Sequence, residues 1–187
     1  MRRGFKAEAE RLSLDFRSRL GLRNYEALPA RSLASHLGIS VLTPHIIPSI
    51  TQEIVSLVCD NPDGAFSAVT ILVASRRIVI HNPNHSPARQ ESDLMHEISH
   101  VVCEHKYEDA SLCMSQAFSL RIYNPEHEDE AKYLGGCLQA PREALIRHMA
   151  RGTTIEQMAS MLGASEDLVR FRVNCTGVIR QIQRRRP

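Results

Sequence analysis

Apolar positions change spacing several times along the chain, and each change marks an element. Leu94, Met95, Ile98, Val101 and Val102 recur at helical period after Ser86-Pro87, a helix opening that follows the turn-forming Asn82-Pro83-Asn84. Ala131, Leu134, Cys137 and Leu138 repeat the period after Asn124-Pro125. Two further amphipathic helices are predicted at Glu8–Leu20 and Ala30–Leu37, the second stopped by Gly38. Ile39-Ser40-Val41-Leu42 reads as a short strand. Ile50–Cys59 carries mixed signals. Its β-branched residues favour a strand, but Glu53, Val55, Leu57 and Val58 after Ser49-Ile50-Thr51 suit a capped helix, which we favour. Asn61-Pro62-Asp63-Gly64 is a turn. Ser67–Val73 and Arg77–Ile80 are strands joined around Ala74-Ser75-Arg76, a hairpin expected to form the sheet edge beside the helix that follows. Near the end, Thr153-Thr154 starts a short helix to Leu162-Gly163, and Ser165 caps another carrying Leu168, Val169 and Phe171.

Chemistry enters on the first of these helices. His96-Glu97-Ile98-Ser99-His100 reads H-E-x-x-H. Two His four apart project from one helix face, where one Zn²⁺ can take both imidazoles. The adjacent Glu97 does not ligate; it is placed to take a proton from a water activated by the metal. Ile98 and Val102 lie behind the pair, which puts the histidines at the margin of a buried face. A histidine-rich helix without metal is the bland alternative, and the flanking sequence argues against it.

Two His need a third ligand. Glu126-His127-Glu128-Asp129-Glu130 opens the second helix, and acidic residues there also complement the helix dipole. Glu128 is the preferred ligand, because 28 residues from His100 suit a helix end, a turn and the start of an antiparallel neighbour. Glu130 stays open as the alternative. A tetrahedral oxyanion needs a donor besides the metal, and Tyr133, His127 and His148 are the candidates.

Net charge is only +2, with 23 Lys and Arg against 21 Asp and Glu, so the bulk surface carries no nucleic-acid footprint. Five Cys (Cys59, Cys103, Cys113, Cys137, Cys175) form no even framework and no C-x-x-C pair, which argues for reduced thiols and against ligation by Cys103 or Cys137. The Met1-Arg2-Arg3-Gly4-Phe5 start leads into a charged amphipathic stretch, not an apolar leader, and no apolar run reaches membrane-spanning length. A cytoplasmic location is expected.

His96-Glu97-Ile98-Ser99-His100, the preceding Ala88–Met95, and Glu128-Asp129-Glu130-Ala131 with Pro141 resemble the ImmA/IrrE zinc metallopeptidases of bacteria and phages. The resemblance runs from about Leu37 to about Val178. It puts Glu128 on the family's glutamate ligand, Ala131 on its alanine and Pro141 on its closing proline. Lys132, Leu134 and Gly135 depart from the usual Asn or Asp, Phe and Ala. The first matters most: a short polar residue there would accept from a histidine ligand, and lysine cannot. Asp129, Glu130 or a backbone carbonyl would have to replace it.

The resemblance implies an α+β fold. A zincin-like core would have a small antiparallel three-stranded sheet packed on the H-E-x-x-H helix and on the helix of the third ligand. It divides the chain into an N-terminal helical segment (1–36), the metallopeptidase core (37–148) and a C-terminal segment (149–187). It also implies the substrate, a helix-turn-helix repressor cut to switch on phage, mobile-element or stress-response genes. Zn²⁺ is the expected cofactor, although two His and one carboxylate also suit Mn²⁺ or Fe²⁺. Ala159, Gly163 and Val169 have helix-turn-helix spacing, followed by Arg170, Arg172, Arg180 and Arg184–Arg186. This reads either as direct DNA binding or as a packed helix pair with a solvated basic tail; the near-neutral balance favours the second. The competing function is a DNA-binding regulator with a structural or sensing metal, or a metal-free module that binds the repressor. The count of three good ligands favours an open, catalytic site.

Overall fold

A computed structural model of the chain describes residues 1–60, 66–73, 75–109, 118–121 and 123–185. The expected turn at Asn61–Gly64, Cys113 and Arg186 lie outside the described residues. The described elements run α1 (Phe5–Arg19), α2 (Ala30–His36), β1 (Ser40–Leu42), a 3-10 turn (Pro44–Ile46), α3 (Gln52–Cys59), β2 (Ala68–Val73), β3 (Arg76–His81) and α4 (Pro87–Val102). Then follow β4 (Tyr107–Asp109), β5 (Phe118–Arg121), α5 (Pro125–Gln139), α6 (Arg142–Ala150), α7 (Ile155–Leu162), α8 (Glu166–Thr176) and α9 (Val178–Arg185). The fold is mixed α+β. No described helix is long and apolar enough to cross a membrane.

Local chemistry explains the boundaries. Thr51 accepts from the Ile54 N–H and starts α3 as a helix, as the capping pattern suggested over the strand reading. Asn124 accepts from the N–H groups of Glu126 and His127 and starts α5, with Pro125 in its first turn. Thr154 and Gln157 form a reciprocal capping box on α7, and Gly163 ends that helix at φ 63°.

The sheet order among the described strands is β1-β3-β2-β5-β4. All three predicted strands are present, and β4 and β5 extend the sheet beyond them. Two expectations change. β1 pairs with β3 in parallel, Val41 opposite Val79, so the sheet is mixed and not purely antiparallel. The β2–β3 hairpin is interior, because β2 also pairs with β5; the described edges are β1 and β4. A hairpin is legible from its own alternation, but what lies beside it depends on distant short strands.

Helix α4 packs on β2 and β3 and also against α5, while α1 packs on α5 as well. One apolar cluster joins Phe5, Phe16, Leu33, Val79, Leu94, Met95, Ile98, Leu134 and Leu138, so the N-terminal helices share the core of the α4–α5 pair. The last carbonyls of α5, which have no partner inside the helix, are taken by buried side chains. Ser13 donates to the Cys137 carbonyl at 2.6 Å, Arg17 to Leu138 at 2.7 Å, and Arg172 to Ala140 at 3.0 Å. Burial pushes Arg17 down to about 10, still charged at neutral pH. A second cluster holds Ala144, Leu145, Met158, Ala159, Leu162, Val169 and Val173, packing α6, α7 and α8 together.

Arg172 corrects the reading of the C-terminal basic residues. It is fully buried and reaches Glu10 of α1 at 2.5 Å, so it is an internal tie and not part of a basic surface. Arg170 is exposed and pairs with Glu166 at 3.1 Å.

Two glycines of α5 face its neighbours. A Cβ on Gly135 would meet the Met95 carbonyl and the His96 nitrogen at 3.4 Å, ordinary contact. A Cβ on Gly136 would stand 3.1 Å from Cδ of Arg172, a side chain pinned by Glu10 and Ala140. Gly135→Ala is therefore expected to be neutral or to stabilise by up to about 1 kcal/mol through helix propensity. Gly136→Ala is expected to destabilise by about 1–3 kcal/mol through overpacking. Urea denaturation of both variants checks the contrast.

Candidate metal centre

The chain reversal between α4 and α5 brings the predicted ligands together. Glu128 of the first α5 turn meets the C-terminal half of α4, and Gly135 lies back at Met95, so the helices run antiparallel. Nε2 of His96 lies 3.1 Å from Nε2 of His100. One Glu128 oxygen is 3.0 Å from His96 Nε2, and the other is 3.4 Å from His100 Nε2.

These distances fit a single cation. Two donors on one tetrahedral zinc, each bound at about 2.0–2.1 Å, lie about 3.4 Å apart. Neutral imidazole and carboxylate are also the donor types zinc selects. The three side chains form one of two groups among the described residues able to hold a metal; the other is Cys103, His105 and Glu130.

Access is uneven. His100 is completely buried, deeper than the margin expected from sequence, whereas His96 and Glu128 are 32% and 26% exposed. His96 and Glu128 thus form the solvent-facing part of the group, and His100 its interior part.

Glu97 is buried beside the histidines, and Thr70 of β2 donates its hydroxyl to Glu97 Oε2 at 2.5 Å. Sequence reasoning missed Thr70. The signal available was a polar residue in the apolar run of β2, which period-2 reading assigns to a solvent face. In the structure Thr70 is buried opposite Val79 and faces α4.

The other predicted residues are placed as follows. Glu130 is not with His96 and His100: one of its oxygens accepts from the Arg2 backbone N–H at 2.8 Å, and the other lies 3.4 Å from His105 Nε2. Burial works against its charge, but the Arg2 N–H, His105 and the Arg2 guanidinium hold its carboxyl below the ordinary range. His127 stacks flat on His105, ring centroids 4.1 Å apart. Tyr133 is flanked by Lys6 and Arg172, and burial pushes its phenol up. His148 sits on α6 in the C-terminal layer, its pKa lowered by burial and by Arg147 and Arg151. Tyr133 thus packs against cationic neighbours and His148 belongs to α6; periodicity does not report which neighbour a helix face meets. Cys137 is buried in the main core, and burial pushes the Cys103 thiol up to about 12.

A helix pair that presents two His and one Glu around one point, with a buried Glu beside them, defines a metallopeptidase-type centre. The family comparison agrees. The model of the M78 peptidases, described as the IrrE N-terminal-like domain, matches residues 34–174, and the chain belongs to this ImmA/IrrE metallopeptidase family. No curated protein and no solved structure matches the chain significantly.

Proposed function

We propose that the protein is a zinc-dependent endopeptidase that cuts a specific partner protein, a transcriptional repressor of the helix-turn-helix type, and so relieves repression. The observation that carries the hydrolytic part is the convergence of His96, His100 and Glu128 at 3.0–3.4 Å with Glu97 buried beside them. The repressor follows from the family resemblance.

When bound, zinc supplies Lewis acidity at the scissile carbonyl and lowers the pKa of a nearby water. His96, His100 and Glu128 would hold the ion, and Glu97 is the base that would take a proton from the attacking water and return it to the leaving amine. Thr70 acts through Glu97: its hydroxyl fixes one carboxylate oxygen. His100, held in the interior, anchors the site, and the exposed side of His96 and Glu128 admits the peptide. Mn²⁺ or Fe²⁺ suits the same donors.

The direct test first looks for a helix-turn-helix repressor encoded beside the gene and incubates the zinc-loaded protein with it. Cleavage at one defined bond, stopped by a chelator and restored by Zn²⁺, is the expected result. An intact repressor together with sequence-specific DNA binding by the protein itself would replace this reading with that of a metal-sensing regulator. Thr70→Val, which keeps shape and removes the donor, is expected to retain zinc and lower kcat about ten-fold or more. A hydrogen bond to a charged group is worth about 1.5–3 kcal/mol. Zinc content and cleavage rate, measured on the same preparation, check it.

A further inference from the structure

The second histidine ligand is part of a longer chain of contacts. Nδ1 of His100 lies 2.8 Å from Nδ1 of His105. On the far side of His105, Nε2 lies 3.4 Å from Glu130 Oε2, and Glu130 Oε1 accepts from the Arg2 backbone N–H. His100, His105 and Glu130 are all buried.

The backbone builds this contact. At the end of α4 the His105 N–H bonds to the His100 carbonyl at 3.1 Å, and the Glu104 N–H bonds to the Val101 carbonyl at 3.1 Å. That is a Schellman closure with Glu104 in the left-handed region at φ 55°. A non-glycine residue there is disfavoured by roughly 1–2 kcal/mol, and the turn returns His105 to the flank of His100.

We propose that His105, backed by Glu130, is a positioning residue that sets the tautomer of His100 and holds its ring toward the metal; this rests on the zinc-site reading above. One proton arrangement fits these contacts. A ligand His100 needs a bare Nε2, so its proton is on Nδ1. That proton must be accepted by His105 Nδ1, which is then bare, and the His105 proton sits on Nε2 and is donated to Glu130. Glu130, which has no proton to give as a carboxylate, fixes the direction of the whole chain. Partners of this kind orient a ligand histidine and raise its basicity.

The arrangement also answers the departure at Lys132. Lys132 and Asp129 are exposed, so neither supplies the missing acceptor. His105 supplies it from the end of α4.

The rival assignment is a second metal at Cys103, His105 and Glu130. It competes with contacts already made. Both nitrogens of His105 are engaged, by His100 and by Glu130, and the Arg2 guanidinium stands 3.9 Å from Glu130.

The test is zinc affinity by chelator competition, together with nitrogen-15 NMR of the imidazoles in the zinc-loaded protein. His105→Ala is expected to weaken zinc binding about 10–100-fold. His105→Asn, whose amide oxygen takes the place of Nδ1, is expected to recover most of that loss. In the wild type the His100 proton is expected on Nδ1 and the His105 proton on Nε2. Cys103→Ser is expected to bind one zinc at wild-type affinity. Equal affinities for the Ala and Asn variants, a His105 proton on Nδ1, or a wild type holding two zinc ions of which Cys103→Ser loses one would each overturn the proposal while leaving the primary site standing. A folded wild-type chain that binds no zinc would instead overturn the metallopeptidase reading, and this one with it.

Discussion

Glu97→Gln is expected to bind zinc as the wild type does and to lose cleavage by about 100- to 10,000-fold, the usual contribution of a positioned general base. The amide has the shape of the carboxylate and can still accept from Thr70, so the local packing of Glu97 between α4 and β2 is kept. What is lost is the ability to take a proton at neutral pH. In barrier terms the loss is about 3–5.5 kcal/mol, since each tenfold costs about 1.4 kcal/mol. Zinc stoichiometry and single-turnover cleavage on the same preparation decide it: a Gln variant that cuts at the wild-type rate removes Glu97 from the reaction.

Glu128→Ala is expected to abolish stoichiometric zinc binding, with a loss beyond the roughly 100-fold reached by removing an outer partner. Glu128 is the carboxylate within 3.0 Å of His96 and 3.4 Å of His100. Glu130→Ala is expected to fall within about 10–100-fold, because it acts through His105. The order of the two affinities, read by competition with a chromophoric chelator, settles which carboxylate is the ligand. Glu130→Ala binding more weakly than Glu128→Ala would reverse the assignment. His100→Ala is expected to match Glu128→Ala in lost metal and, in addition, to destabilise the apoprotein, because it empties a fully buried position.

Much of this site is legible in the sequence. A five-residue pattern on a helix specifies where two side chains point, because helical geometry is local. Proline and asparagine at 124–125 located the start of α5, and with it Glu128, to within a residue. The choice of Glu128 over Glu130 was a matter of preference in the sequence. Neighbours two apart on a helix face different directions, but the side on which α4 would lie could not be read from either.

The parts that escaped sequence reading share one cause. Thr70, His105, Arg17 and Arg172 take their roles from partners 27, 25, 121 and 32 residues away or from a turn whose residue type disguises it. Glu104 carries no glycine signal for the Schellman turn that returns His105 to α4. Arg172 read as part of a basic C-terminal stretch, yet with Arg17 it closes the open carbonyl end of α5. The strands β4 and β5, three and four residues long, exist only through pairing with each other and with β2.

The sequence by itself determined α2 to α5, α7 and the start of α8, the β2–β3 hairpin and the H-E-x-x-H geometry, because each depends on dihedral preference, capping or periodicity within a few residues; α6 and α9 were not read from it. Only the tertiary structure decided that the hairpin is interior, that Glu128 and not Glu130 turns to the histidines, and that Thr70 holds Glu97. It alone brought His105 within hydrogen-bond reach of His100. Those outcomes depend on which faces meet when α4 is packed between the sheet and α5, and that packing is set by the sum of contacts over the whole chain.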